Sequence, residues 1–283
     1  MSQSVDMKRV KSFSHKPLLI IGALLTAFFF LSPYILMFLT SLKPTGELFS
    51  NPVTIIPHHW VWSNYINVWH FAPIAGYLRT TLIIAATSTI IVIFAAVPAA
   101  YCTARMRFRG RGIYLGLILL TQMLAPVALL VGLYRQFVLV GLIDSLFSLI
   151  LTNAAFNLAF AVWILNGYFV GIPLEIEEAA MIDGCSRFRI LRSIVLPLAM
   201  PGMVTAIIFT FIAGWNEYVV ALTLINTPSK WPITLGITSF MGRFNIDYQF
   251  LFAASLISIV PVVILFGLIE KHLVSGLTAG SVK

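Results

Sequence analysis

The sequence predicts an all-α membrane protein: six transmembrane helices and one polar, helix-forming loop on the cytoplasmic side. Three observations lead there. Of 283 residues, 59% are hydrophobic and only 10% charged, with mean hydropathy +0.96, whereas soluble domains carry about 25% charge. Six stretches supply the roughly 20 mostly apolar residues that a helix needs to cross hydrocarbon. The net charge of +8 is spread over the intervals between those stretches rather than gathered in one patch, which speaks for membrane topology and against nucleic acid.

In chain order the expected spans are Pro17–Leu42, Tyr77–Met106, Ile113–Tyr134, Ser145–Val170, Pro201–Ile225 and Phe250–Ile269. The first follows a basic stretch, as a secretory signal would, but its apolar run is too long and no small-residue cleavage site follows, so it is read as a span. An even number of spans puts both termini on one side. With that side cytoplasmic, the inner segments hold Lys8, Arg9, Lys11, Lys16, Arg105, Arg107, Arg109, Arg111, Arg187, Arg189, Arg192, Lys271 and Lys283, which is 13 of the 18 Lys and Arg. The positive-inside bias therefore selects a cytoplasmic tail 1–16, a bundle 17–272 and a cytoplasmic tail 273–283. Outer loops fall at 43–76, 135–144 and 226–249, and the cytoplasmic loop at 171–200. Each is too short to bury a core of its own.

Catalytic and cofactor motifs are missing from the sequence. No lysine follows a glycine, so there is no GxxxxGK[ST] loop for nucleotide phosphates, and no HExxH. His58, His59 and His70 could ligate a metal, but they sit among Trp60, Trp62, Tyr65, Trp69 and Phe71, which read better as an interfacial aromatic belt. Cys102 and Cys185 lie near the cytoplasmic face, where a disulfide is not expected. No acid, base and nucleophile set converges, so no enzyme activity and no cofactor is expected in this chain.

The cytoplasmic loop contains EEAAMIDGCSRFRILRSIVLPLAMPG, Glu177 to Gly202. Pro173 suits the first turn of a helix, and Glu175, Glu177 and Glu178 complement its dipole. Ala179 and Ala180 favour helix with little bulk, and Gly184 can take the positive φ that ends it. Ser186 can cap a second helix whose apolar face would carry Phe188, Leu191 and Ile194 or Val195, with Arg187, Arg189 and Arg192 opposite and Pro197 interrupting. Such a helix, corner and helix is either an amphipathic connector on anionic headgroups or a docking element that carries another protein's motion into the bundle.

Glu178-Ala179-Ala180, three residues, Gly184, nine residues, Ile194, one residue and Leu196-Pro197 resembles the EAA motif of bacterial ABC importer permeases at every defined position. Within that family the chain is similar to the carbohydrate importers, and to the smaller permease subunit of the maltose transporter. The segments that carry this are SLKPTGELFSNPVTIIPHHWVWSNYINVW, the basic loop Arg105–Gly112, Gly214-Trp215-Asn216-Glu217-Tyr218 and the ending Ser275–Lys283. The resemblance implies six helices of the ABC importer permease type in the bacterial cytoplasmic membrane. It implies a second permease subunit, two ATPase subunits that hold ATP and Mg, an extracytoplasmic solute-binding protein and a carbohydrate substrate. It implies that Glu178, Ala179, Ala180, Asp183, Gly184, Arg187, Arg192, Ile194, Leu196 and Pro197 form coupling helices seated on an ATPase, and that the outer loop 226–249 faces the binding protein.

Polar residues inside spans mark either a pathway or helix packing. Glu217, about 24 Å along a continuous helix from Pro201 at ~1.5 Å per residue, is joined by Asn216, Gln122, Asn153 and Asn157 as candidates to line a translocation path. The competing function is a self-contained secondary transporter or channel for a small polar solute, which would need ion-coupling groups deep in the bundle.

Overall fold

A computed structural model describes residues 16–242 and 245–279, with side chains described over 19–242 and 245–268. The tail before Lys16, Arg243 and the last residues of the Ser275–Lys283 ending lie outside the described residues.

The chain is built from α1 (Lys16–Ser41), α2 (Thr45–Leu48), α3 (Asn64–Phe71), α4 (Ile74–Arg105), α5 (Arg111–Met123), α6 (Pro126–Leu139), α7 (Leu146–Val170), α8 (Leu174–Ile182), α9 (Arg187–Ile190), α10 (Leu196–Leu198), α11 (Met200–Trp215), α12 (Val219–Leu224), α13 (Ile233–Gly236) and α14 (Tyr248–Ala279). A π turn, Leu191–Val195, joins α9 to α10. Helices α1, α4, α7 and α14 are each long and apolar enough to cross a membrane, and two bent pairs raise the total to as many as six among the described residues.

Two expected spans are therefore not single helices. The third is α5 and α6, meeting at 96°. Leu124 and Ala125 are extended, with ψ near 123°, because Pro126 disfavours helical geometry in the residue before it and itself starts the next helix well. The fifth, expected over Pro201–Ile225, ends at Trp215 and resumes only as the short α12.

The core is the α4, α7 and α11 trio, and the pair α1 and α14 packs beside it. Lipid offers no hydrophobic drive for helices to associate, so close approach and interhelical hydrogen bonds must hold them. Ala85, Ala96, Ala100, Ala161 and Ala206 are accordingly buried, and Gly202 admits the Tyr168 ring, whose Cγ would stand 2.4 Å from a Cβ there. Asn166 Nδ2 donates to Thr103 Oγ1 at 2.8 Å, tying α7 to α4, and Trp215 Nε1 donates to the Ser258 carbonyl at 3.2 Å, tying α11 to α14.

The loops 43–76 and 226–249, expected on the outer side, pack on this bundle. Asn64 Nδ2 donates to the Ser41 carbonyl at 2.8 Å, and the Lys43 ammonium to the Thr54 carbonyl. Ile233, Leu235 and Phe240 are buried against α3, α4 and α14 or against the α6, α7 and α12 cluster, and Thr81 Oγ1 of α4 accepts the Ile233 N–H at 2.7 Å. Asp144, at φ 58°, accepts the Asn226 and Thr227 amides at 3.0 and 2.9 Å and the Lys230 ammonium at 2.8 Å, joining the 135–144 and 226–249 loops.

Candidate coupling surface

Helix α7 stops at Gly171 because Pro173 biases Ile172 away from helix, and Pro173 then precedes α8 with ψ 135°. At the far end of α8 the Cys185 N–H bonds to the Ala180 carbonyl and the Gly184 N–H to the Met181 carbonyl, both at 3.0 Å, with Gly184 at φ 80°. This pairing is a Schellman closure, and the left-handed residue it needs is Gly184. Ser186 caps α9 through the Arg189 amide at 3.4 Å. The expected helix, corner and helix is present.

One side of this corner is fixed. Ala180, Ile190, Val195 and Ala199 are buried with α4, α7 and α11 residues, and Ile194 and Leu196 pack against the same cluster. The other side is open: Glu178, Ala179, Asp183, Gly184, Arg187, Arg189, Arg192 and Pro197 are exposed. Ile182 and Phe188 stand out as large apolar side chains 87% and 73% exposed.

Phe188 was expected on the buried face, and the structure reverses that. The buried residues are Ile190 and Val195, five apart, across a π turn closed by the Leu196 N–H on the Leu191 carbonyl. Pro197 has no N–H to continue the α-helical ladder, so the register widens instead of the helix stopping. Pro197 alone could have signalled this in the sequence; nothing there marked Ile182.

Glu177 and Arg105 were missed as a pair. Expected as a dipole-facing charge and as part of a surface basic loop, they instead form a buried ion pair, with Arg105 Nε 2.6 Å from Glu177 Oε1 and side chains 8% and 4% exposed. Tyr101 Oη donates to Glu177 Oε2 at 2.7 Å, and Arg105 Nη2 donates to the Ile172 carbonyl at 2.9 Å.

The five path candidates divide. Asn153 and Asn157 donate to the carbonyls of Leu149 and Asn153 on their own helix, at 3.0 and 2.8 Å, and Asn153 is buried. Glu217 lies in the break between α11 and α12, where its carboxylate accepts the Val220 and Ala221 amides at 2.8 and 3.0 Å. It caps α12, as a carboxylate at a helix N-terminus should. Gln122 and Asn216 are exposed, and Asn216 follows directly on α11. Of the five, Asn153 and Asn157 are brought together by the Asn157 bond to the Asn153 carbonyl.

The family described as "Binding-protein-dependent transport system inner membrane component" matches residues 92–278. The sulfoquinovosyl glycerol transport system permease protein of Agrobacterium fabrum is 36% identical over 271 residues, 96% of this chain and 95% of that protein. The trehalose/maltose transport system permease protein of Thermococcus litoralis is 34% identical over 272 residues, 94% and 96% respectively. Among solved structures, a chain of a bacterial ABC transporter involved in the import of the acidic polysaccharide alginate superposes with TM-score 0.78 at 24% identity, covering 92% of this chain and 98% of that one.

Proposed function

Because this chain belongs to the binding-protein-dependent transport system inner membrane component family, we propose that it is one of two permease subunits of an ATP-driven carbohydrate importer, taking a sugar, oligosaccharide or related polyol or glycerol phosphate. The observation that carries this is the corner at Gly184, braced from beneath by Ala180, Ile190 and Val195 while Glu178, Ile182 and Phe188 face outward. An exposed apolar pair beside charge, on a rigid corner tied to two long helices, suits a protein partner better than a headgroup layer. The relatives named for trehalose/maltose and sulfoquinovosyl glycerol support the substrate class.

In this reading two ATPase subunits hold ATP and Mg, and one of them receives Glu178 to Gly184 and Phe188 in a cleft. Arg187 and Arg192 meet its acidic groups or anionic lipid, while Ile194, Leu196 and Pro197 brace the seat. Closure of the ATPase pair moves α8, and through it α7 and α4, so that solute delivered outside enters between this chain and the second permease. The corner and the termini are cytoplasmic, and the 226–249 loop faces the solute-binding protein. Exposed Gln122 and Asn216 offer the solute amide groups from this chain.

A mild-detergent pull-down from the native membrane tests this. A second permease and an ATPase subunit should accompany the chain, and Ile182→Arg or Gly184→Trp, stably expressed, should release the ATPase subunit or uncouple its hydrolysis from uptake. Retention of the ATPase subunit with full transport by both variants would overturn the reading.

A further inference from the structure

Resting on the coupling reading above, we propose that Arg105 is a strut that makes α8 and the inner end of α4 move as one body, with Glu177 and Tyr101 as its seat. Apolar contacts beneath the corner, such as Ala180, Ile190 and Val195, resist separation but allow sliding, since dispersion is non-directional. A guanidinium fork is different, because its donors leave in one plane at fixed angles. Here two of them are used on two bodies. Nε holds the Glu177 carboxylate in the first turn of α8, and Nη2 holds the Ile172 carbonyl in the link between α7 and α8. Arg105 is itself the last residue of α4, and Tyr101, one turn earlier on that helix, holds the second carboxylate oxygen.

The consequence is directional. A push on exposed Glu178 reaches its neighbour Glu177, which cannot shift along α4 without breaking its two short contacts with Arg105 and Tyr101 in a site almost closed to water, while the Arg105 contact with the Ile172 carbonyl holds the link beside it. Displacement of α8 is thus delivered to α4, the helix with the most extensive packing against α7 and α11, rather than absorbed in the loop. These are positioning residues: they touch neither solute nor nucleotide.

The test uses the complete transporter, purified and reconstituted, with uptake and ATP hydrolysis measured on the same vesicles and normalised to assembled complex. Arg105→Lys keeps the charge but cannot make both contacts from one plane, and should lower solute moved per ATP hydrolysed by roughly tenfold while the ATPase subunit stays bound. Tyr101→Phe leaves the ion pair and should lower the same ratio less; if Arg105→Lys does not assemble, this variant decides. An unchanged ratio in the assembled variants would overturn the strut. Loss of the ATPase subunit from Ile182→Arg in the same preparation, with an unchanged ratio in Arg105→Lys, would overturn the strut while the docking seat at the corner stands; retention of the ATPase subunit by Ile182→Arg would overturn the seat instead.

Discussion

Arg105 reaches across 72 residues of sequence to Glu177, with Nε 2.6 Å from Oε1, at the joint between the α4 end and the start of α8. Both side chains are almost fully enclosed. Removing one partner strands the other charge, which costs about 3–5 kcal/mol in buried pairs. Glu177→Leu and Arg105→Met alone should therefore each lower the thermal stability of the purified complex strongly, and the two together should recover much of the loss. Melting curves of the two singles and the double check this; a double variant as unstable as the sum would show the pair does not act as a unit.

Gly184 separates conformation from docking. No atom lies within 4 Å of a Cβ placed there, so Gly184→Ala meets no clash and carries only the left-handed backbone strain, about 1 kcal/mol. Gly184→Asn should carry less, since Asn tolerates that region. Both should retain the ATPase subunit, whereas Gly184→Trp should shed it. Co-purification yields of the three variants rank these outcomes, and equal yields would remove Gly184 from the interface.

Gly202 reports on bundle packing alone. A methyl group there would overlap the inner atoms of Tyr168, and overpacking of this kind costs about 1–3 kcal/mol. Gly202→Ala should lower the melting temperature while leaving solute moved per ATP unchanged in the surviving complex. A changed ratio would place the α7 and α11 contact in the coupling route.

The Asp144 latch between the 135–144 and 226–249 loops has a defined pH response. The Lys230 ammonium, the Thr227 hydroxyl and the loop amides hold the Asp144 carboxyl far below the usual carboxylate range. A depressed folded pKa stabilises fully above the unfolded value of about 4 and is lost only as pH falls through the lower folded one. The melting-temperature gap between the wild type and Asp144→Asn should stay constant from neutral pH down to about 4 and shrink below it. A gap that closes between pH ~7 and ~5 would contradict the latch.

Glu217 caps α12, so Glu217→Ala should cost about 1 kcal/mol and reduce uptake only as far as it reduces assembled complex. Uptake lost from intact complex would return Glu217 to the path.

Much of this was legible in the sequence, and most of what was not shares one cause. Periodicity and length give α1, α4, α7 and α14, and Pro173, Gly184 and Ser186 give the corner, because these signals act within a few residues. The 96° bend before Pro126 was readable locally but hidden by the unbroken apolar run around it. The pairing of Arg105 with Glu177, the Asp144 latch and the burial of Ile233 in the bundle depend on residues 72, 86 and 152 positions apart. No local pattern encodes such contacts. Deleting the 226–249 loop would remove Ile233, Leu235 and Phe240, which are core residues. The proposed contact of this loop with a binding protein is better tested at exposed Ser229 or Met241 than by deletion.

The most direct test of the account is solute uptake by sealed vesicles holding either the assembled complex or this chain alone, with ATP present or absent and the solute-binding protein supplied outside. Uptake is expected only by the complex, only with ATP, and lost in Gly184→Trp. Uptake by this chain alone without nucleotide would contradict it and make the protein a self-contained transporter.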